Sequence, residues 1–229
     1  MQTTMATKTT QKTTLKFDEI NKPLSYREFF GKMYISKKQM DERIALAKDI
    51  ESVMLYIFAY WLIRDDLGIS TQEIKDLAKG QLKAVYERYT KFDGYIENRV
   101  DKTIDEIIDV TERHTAIQPQ QTENADLENA PAGYWTSGDR AMIIAENEAN
   151  SLANYAEYRT AKAQGKTKKR WLTELDDKVR FTHTLEEGKT VDIDGLFLVG
   201  NSLMRFPRDY EYDPEPDEVI NCRCACVYE

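Results

Sequence analysis

The sequence predicts an α+β fold: a helical N-terminal region, then a small domain of one long helix packed on a short antiparallel sheet. Three observations carry this expectation. Apolar residues recur at helical spacing as far as His114. The periodicity then lapses over residues 115–133, which contain Pro119, Pro131 and several Gln, Asn and Glu. Beyond Gly165 short β-prone stretches alternate with glycine and proline turns. The expected organisation is therefore a disordered tail over 1–22, a helical region over 23–115, a linker over 116–131 and a folded domain over 132–229.

The first residues are rich in Thr, Gln and Lys, offer almost nothing to bury, and carry no secretory signal. Ser36-x-x-Gln39 reads as a capping box opening a long helix. Met40, Ile44, Ala47, Met54, Ile57 and Trp61 form its apolar stripe, and Gly68 ends it. Ser70-x-x-Glu73 opens a second helix through Leu77, Leu82, Val85 and Tyr89, and Asp93-Gly94 breaks it. A third carries Ile96, Val100, Ile104, Ile107 and Ile108 on one face, ending near His114, an ordinary position for a histidine. Bundle and extended arm are both open for these helices.

Ser137 or Asp139 caps a helix to about Ala163, with Ala141, Ile144, Ala145, Leu152, Tyr155 and Ala156 facing inward. Glu148 falls on that same apolar face, where a carboxylate must find a partner or shift its pKa upward. Strands are expected over 190–193, 196–199 and 220–228. In the last, alternation puts Cys222, Cys224 and Cys226 on one face.

Composition narrows the function. Of 229 residues 41% are hydrophobic and 31% charged, and a net charge of -8 disfavours a whole-protein nucleic-acid binder. Three cysteines, all within the last eight residues, make no disulfide framework and fit a reducing compartment. Residues 53–63 (VMLYIFAYWLI) are eleven apolar residues in a row. A membrane span needs about twenty, and Glu51 and Arg64-Asp65-Asp66 flank the run, so no membrane partner is expected. This segment is a core helix or an assembly interface.

Three constellations bear chemistry. Asp177, Arg180 and His183, spaced by three, would meet in a helical turn, with Glu148 added from the preceding helix. As a catalytic set, His183 would be general acid or base and Arg180 would stabilise an anionic transition state, as in ribonuclease-like toxins. As a scaffold, Arg180 would pair with Glu148 or Asp177, and His183 would fix a loop by a hydrogen bond. The second set, His183, Cys222 and Cys224 with Cys226 beyond them, has zinc-ligand chemistry. A C-x-C pair in an extended strand, however, sets its sulfurs about 7 Å apart, too wide for one ion unless the backbone bends. Otherwise the cysteines are small buried hydrophobes, and no cofactor is expected. The third is the basic stretch Arg159, Lys162, Lys166, Lys168, Lys169 and Arg170, of which the last four are DNA-contact candidates or a solvated helix end. Residues 209–218, with six carboxylates and two prolines, read as an exposed acidic loop or, equally, as an internal partner for the basic stretch.

Taken in order, Trp171, Asp177, Val179, Arg180, His183, Gly188, Phe197, Pro207, Asn221, Cys222, Arg223 and Cys224 resemble the signature of the phage Mu F-like family of head morphogenesis proteins, minor capsid proteins of tailed phages. The family also carries Arg-Thr-Glu on the helix before the tryptophan. Here Glu148 keeps the glutamate, while Glu146 and Asn147 stand in place of the arginine and threonine. The resemblance covers residues 132–229. It implies a low-copy minor head protein acting near the portal by binding, with portal, major capsid or scaffold proteins and packaged DNA as partners. The implied location is the capsid interior or the portal's neighbourhood, with the host cytoplasm during assembly. A ribonuclease-like effector using His183, Arg180 and Glu148, and an accessory DNA-binding head protein, are the competing functions.

Overall fold

The computed structural model describes residues 23–116, 130 and 132–229. The expected tail over 1–22 and nearly all of the expected linker lie outside these residues.

The chain enters through α1 (Tyr26–Phe30), whose N-cap Ser25 forms a reciprocal capping box with Glu28. The next two helices, α2 (Lys37–Leu67) and α3 (Thr71–Tyr89), open on the same device at Ser36/Gln39 and Ser70/Glu73. In each box a hydroxyl takes one orphan N–H and the side chain three residues on takes another. Gly68 ends α2 in the left-handed region at φ 64°, a conformation that costs a glycine almost nothing. Asp93 starts α4 (Gly94–Ala116) by accepting from the Ile96 amide at 3.2 Å. A 3-10 turn (Ala132–Thr136) leads to α5 (Gly138–Ala163), capped by Ser137.

The long helices form a packed bundle. α2 lies along α5, and α3 bridges α2 and α4. Leu46, Ile50, Val53, Met54, Ile57, Phe58 and Trp61 of α2 are buried, each aliphatic contributing about 1.5–3 kcal/mol. The expected stripes hold with one correction. Leu77 is 39% exposed, and Ile74 and Ala78 occupy the inner face of α3 in its place.

After α5 come β1 (Lys168–Leu172), a single-turn α6 (Phe181–Thr184), β2 (Thr190–Asp192), the β3/β4 hairpin (Phe197–Val199, Ser202–Met204), a single-turn α7 (Pro216–Val219) and β5 (Ala225–Tyr228). β1 is central in an antiparallel sheet of order β2-β1-β5, with Trp171 opposite Cys226 and Lys169 opposite Tyr228. α5 packs against β5, giving the predicted long helix on a short sheet. The buried core runs without a break from Phe30 and Trp61 in the bundle to Trp171, Phe197 and Cys222 beside the sheet.

Strand alternation puts Lys169 on the same side of β1 as Trp171, and both are fully buried. The Lys169 ammonium donates to the Ile193 carbonyl at 2.6 Å and lies over the Tyr158 and Phe197 rings. Burial pushes its pKa down to about 8. Lys169 is therefore no DNA contact. Arg170 pairs with Glu229, Lys162 with Asp194 and Arg159 with Asp93, whereas Lys166 and Lys168 are exposed. The acidic loop also needs correcting, because Asp209 is fully buried on Arg205 and Glu218 is buried against His183. Among the described residues, no helix is long and apolar enough to cross a membrane.

Candidate functional site

Polar residues on α5 prepare the site. Asn147, Asn150, Ser151 and Asn154 recur at threes and fours, and all four are buried. Each holds backbone of the segment opposite. Asn150 donates to the Cys222 carbonyl at 3.0 Å, Ser151 to that of Arg208 at 3.1 Å and Asn154 to that of Pro207 at 2.9 Å. Asn147 accepts from the Asn221 amide at 2.7 Å and donates to the Asn221 side chain at 3.0 Å. Arg43, reaching across from α2, orients this ladder through Asn150, Asn154 and Glu157.

Held in this way, Asn221 adopts φ 57°, a left-handed conformation that asparagine tolerates better than most residues. The turn breaks the expected strand over 220–228, and regular pairing begins only at Ala225. The bend gathers two of the three thiols. Cys222 and Cys224 meet His183 from α6, and the three ligand atoms lie within 4.8 Å of one another. His183 Nδ1 is 3.2 Å from Cys224 Sγ and 3.6 Å from Cys222 Sγ. Cys226 is outside this group and lies opposite Trp171 in the sheet.

Glu218, from α7, completes the arrangement. Its carboxylate lies 3.0 Å from His183 Nε2 and accepts from the Thr182 hydroxyl at 2.8 Å. A buried carboxylate at Nε2 keeps the proton there and leaves Nδ1 facing the sulfurs. The His183 pKa rises: burial works to lower it, and the hydrogen bond and charge of Cys222 outweigh that. The thiol pair titrates as a unit. Cys222 is held well below the ordinary thiol value by its hydrogen bond from Cys224, with His183 assisting, while Cys224 is pushed up by the same bond and by burial. One proton leaves readily and the second reluctantly.

The Trp171 ring meets the His183 imidazole edge-on at 5.9 Å and Phe197 at 5.1 Å. Gly188, at φ 71°, closes the loop above by donating to the Trp171 carbonyl. Pro207, also buried, presents its carbonyl to Asn154. Beside the cluster is a cavity of about 20 Å³ lined by Glu174, Lys178, Arg180, His183, Asn221, Cys222, Arg223 and Cys224 among others.

Of the set proposed for catalysis, His183 and Arg180 come together beside this cavity, and Asp177 and Glu148 do not join them. Arg180 donates to the Ile220 carbonyl at 2.5 Å, pairing with neither Glu148 nor Asp177. Asp177 is exposed and does not line the cavity; its neighbour Asp176 takes the ion pair instead, with Arg223 at 2.8 Å. Glu148 belongs to a separate buried network. It accepts from both Arg99 Nε and Nη2, from Tyr86 at 2.9 Å and from Thr103 at 3.1 Å. Its pKa is lowered: burial alone would raise it, and the Arg99 charge prevails. Glu148 thus has the partner its position demanded, on α4.

Sequence reasoning missed Glu218, the Asn147–Asn154 ladder and Arg99. The ladder had a legible signal, four polar residues at helical spacing. Glu218 had none that set it apart from the carboxylates around it.

The helical bundle and the small sheet share one buried core, and side-chain-to-backbone bonds hold the polar centre between them. Over residues 92–227 the chain matches the family described as Phage Mu protein F like protein, and it belongs to that family. The family is one of phage head-related proteins. The match begins well ahead of residue 132 and takes in α4, the helix that supplies Arg99 to Glu148. The chain is also similar to NAD(+)--arginine ADP-ribosyltransferase EFV of Enterococcus faecalis, 34% identical over 92 residues. That segment is 38% of this chain and 18% of the relative, so the chain spans about a fifth of that protein's length. No solved structure matches significantly.

Proposed function

We propose that this protein is a minor component of a phage or prophage head, incorporated during head morphogenesis near the portal, and that it acts by binding. Family membership over more than half of the chain is the observation that carries this reading. The site's chemistry agrees with it, since Arg180, Asn221 and Pro207 of the signature hold or present backbone.

The docking element is the outward face of α2. Leu55, Tyr56, Leu62, Ile63 and Leu67 are all exposed at helical spacing, on the side opposite the core. A stripe of this kind is what a partner in an assembled head would cover. Portal, scaffold or major capsid protein is the partner class. Packaged DNA is left with Lys166 and Lys168 among the original candidates.

Quantitative mass spectrometry of purified particles, referred to the major capsid protein, tests the proposal. A small fixed ratio is expected; absence from particles overturns it. A second reading, an effector with enzymatic activity, draws on the partial similarity to the enterococcal transferase. Degradation of RNA or consumption of NAD+ by the purified chain, lost in His183→Ala protein that still folds, would favour it over the first.

A further inference from the structure

We propose that His183 Nδ1, Cys222 Sγ and Cys224 Sγ hold one zinc ion, with a water in the fourth position and Glu218 orienting the imidazole. This goes beyond the head-protein reading and does not depend on it.

The distances are those of a ligand set. A tetrahedral ion with bonds of about 2.3 Å to sulfur and 2.0 Å to nitrogen places its N and S ligands about 3.5 Å apart. The two Nδ1–Sγ separations, 3.2 and 3.6 Å, bracket that value. All three donor atoms lie within 4.8 Å of one another.

The outer contacts agree. A metal-bound histidine characteristically donates its other ring N–H to a carboxylate, which fixes the tautomer and strengthens the ligand. Glu218 provides that acceptor at 3.0 Å from Nε2 and is itself held by Thr182. Nothing in a purely apolar use of the two cysteines calls for a carboxylate on the far side of the ring. Cys226 shows the contrast: the same residue type four positions from Cys222 lies opposite Trp171 in the ladder and outside the group of three ligand atoms.

The fourth position has room. The cavity beside the cluster, about 20 Å³, suits a single water. Glu174 Oε1 and Arg223 Nη1 belong to residues lining that cavity, and both atoms are buried without a hydrogen-bond partner. A metal-bound water would give the carboxylate a donor. Two thiolates with one imidazole favour zinc among abundant divalent ions over magnesium or calcium, which take oxygen. The cysteines ligate as thiolates and His183 as the neutral imidazole, and any protons they still carry pass to solvent on binding. The ion would tie α6 to the 220–224 turn, a part of the chain with little sheet pairing to hold it.

The test uses the full chain, purified, stripped with chelator under reducing conditions and titrated with zinc alone. One ion per chain is expected, and cobalt in its place should give thiolate charge-transfer and tetrahedral d–d absorption. Cys222→Ser and Cys224→Ser should each lose the ion and the charge-transfer intensity, and Cys226→Ser should keep both. Glu218→Gln should weaken zinc roughly 10–100-fold. Folded wild-type protein that takes up no zinc overturns the proposal, as does a Cys222–Cys224 disulfide found in the reduced, metal-treated protein. Loss of zinc in Cys226→Ser as complete as in Cys222→Ser would also overturn it. Should the cysteine variants fail to fold, wild-type stoichiometry and the cobalt spectrum still decide.

Discussion

Replacing Glu148 with alanine should cost about 3–5 kcal/mol of folding stability, the usual penalty for leaving a buried charge without its partner. The geometry supports the upper part of the surface-to-buried scale: the Glu148 and Arg99 side chains are only 6% and 7% exposed, so solvent screens the pair little. The carboxylate is the common acceptor for Arg99, Tyr86 and Thr103, and its loss strands a guanidinium and a phenol together in the core between α3, α4 and α5. Against a total stability of about 5–15 kcal/mol this is a large fraction. With a urea m-value of about 2–3 kcal/mol/M, the midpoint should fall by roughly 1–2 M. Replacing both residues with methionine should restore most of the loss, because a well-packed apolar pair often matches a buried ion pair. The pH dependence has a definite sign. Because Arg99 holds the folded-state pKa of Glu148 below its ordinary value, the contribution is fully present above the unfolded carboxylate pKa near about 4.3, and it is lost as pH falls through the folded value. A single-variant cost under about 1 kcal/mol, or a double variant as unstable as the sum of the singles, would refute the account and return Glu148 to the pool of functional candidates.

Three further outcomes follow from other parts of the molecule. Gly200 sits at φ 59° with Glu218 so close that a Cβ would overlap its carboxylate; Gly200→Ala should therefore destabilise by about 1–2 kcal/mol from the left-handed backbone alone, and an unchanged melting temperature would show that Glu218 is not held where described. Leu62 and Ile63 are 65% and 45% exposed, so Leu62→Lys with Ile63→Glu should leave stability within about 0.5 kcal/mol yet reduce incorporation into heads, and normal incorporation would discard α2 as the docking face. Burial pushes the Glu146 carboxyl up to about 8, opposed by Arg208 and aided by Glu51. Its contribution is thus present below the unfolded carboxylate pKa and lost as pH rises through 8, and Glu146→Gln should flatten the decline in urea midpoint between pH 5 and 8; equal slopes in both proteins would count against it.

What could be read from the sequence was what local physics determines. Capping boxes at Ser36 and Ser70, the left-handed stop at Gly68 and the apolar stripes of α2 and α4 involve residues a few positions apart, and the structure repeats them nearly residue for residue. Lys169 is buried where a DNA contact was expected, although a signal exists, for the period of two that buries Trp171 places Lys169 beside it. The site was less legible because its making is non-local. The distance between the Cys222 and Cys224 sulfurs depends on the bend at Asn221, and that bend depends on Asn147, some seventy residues earlier in the chain.

That dependence accounts for the dense polar centre. The strands here are three to five residues long, so much of the backbone between β4 and β5 lacks ladder partners. Buried carbonyls and amides must nonetheless be satisfied. The protein meets the requirement with side chains: Asn150, Ser151 and Asn154 for the carbonyls of Cys222, Arg208 and Pro207, Asn147 for the Asn221 amide, and Arg180 for the Ile220 carbonyl. A small sheet that replaces ladder bonds with Asn, Ser and Arg acquires a dense polar centre whether or not it performs chemistry. Of the polar residues weighed for catalysis, His183 keeps a ring nitrogen facing two thiols, whereas Glu148 is held by Arg99 and Arg180 by the Ile220 carbonyl.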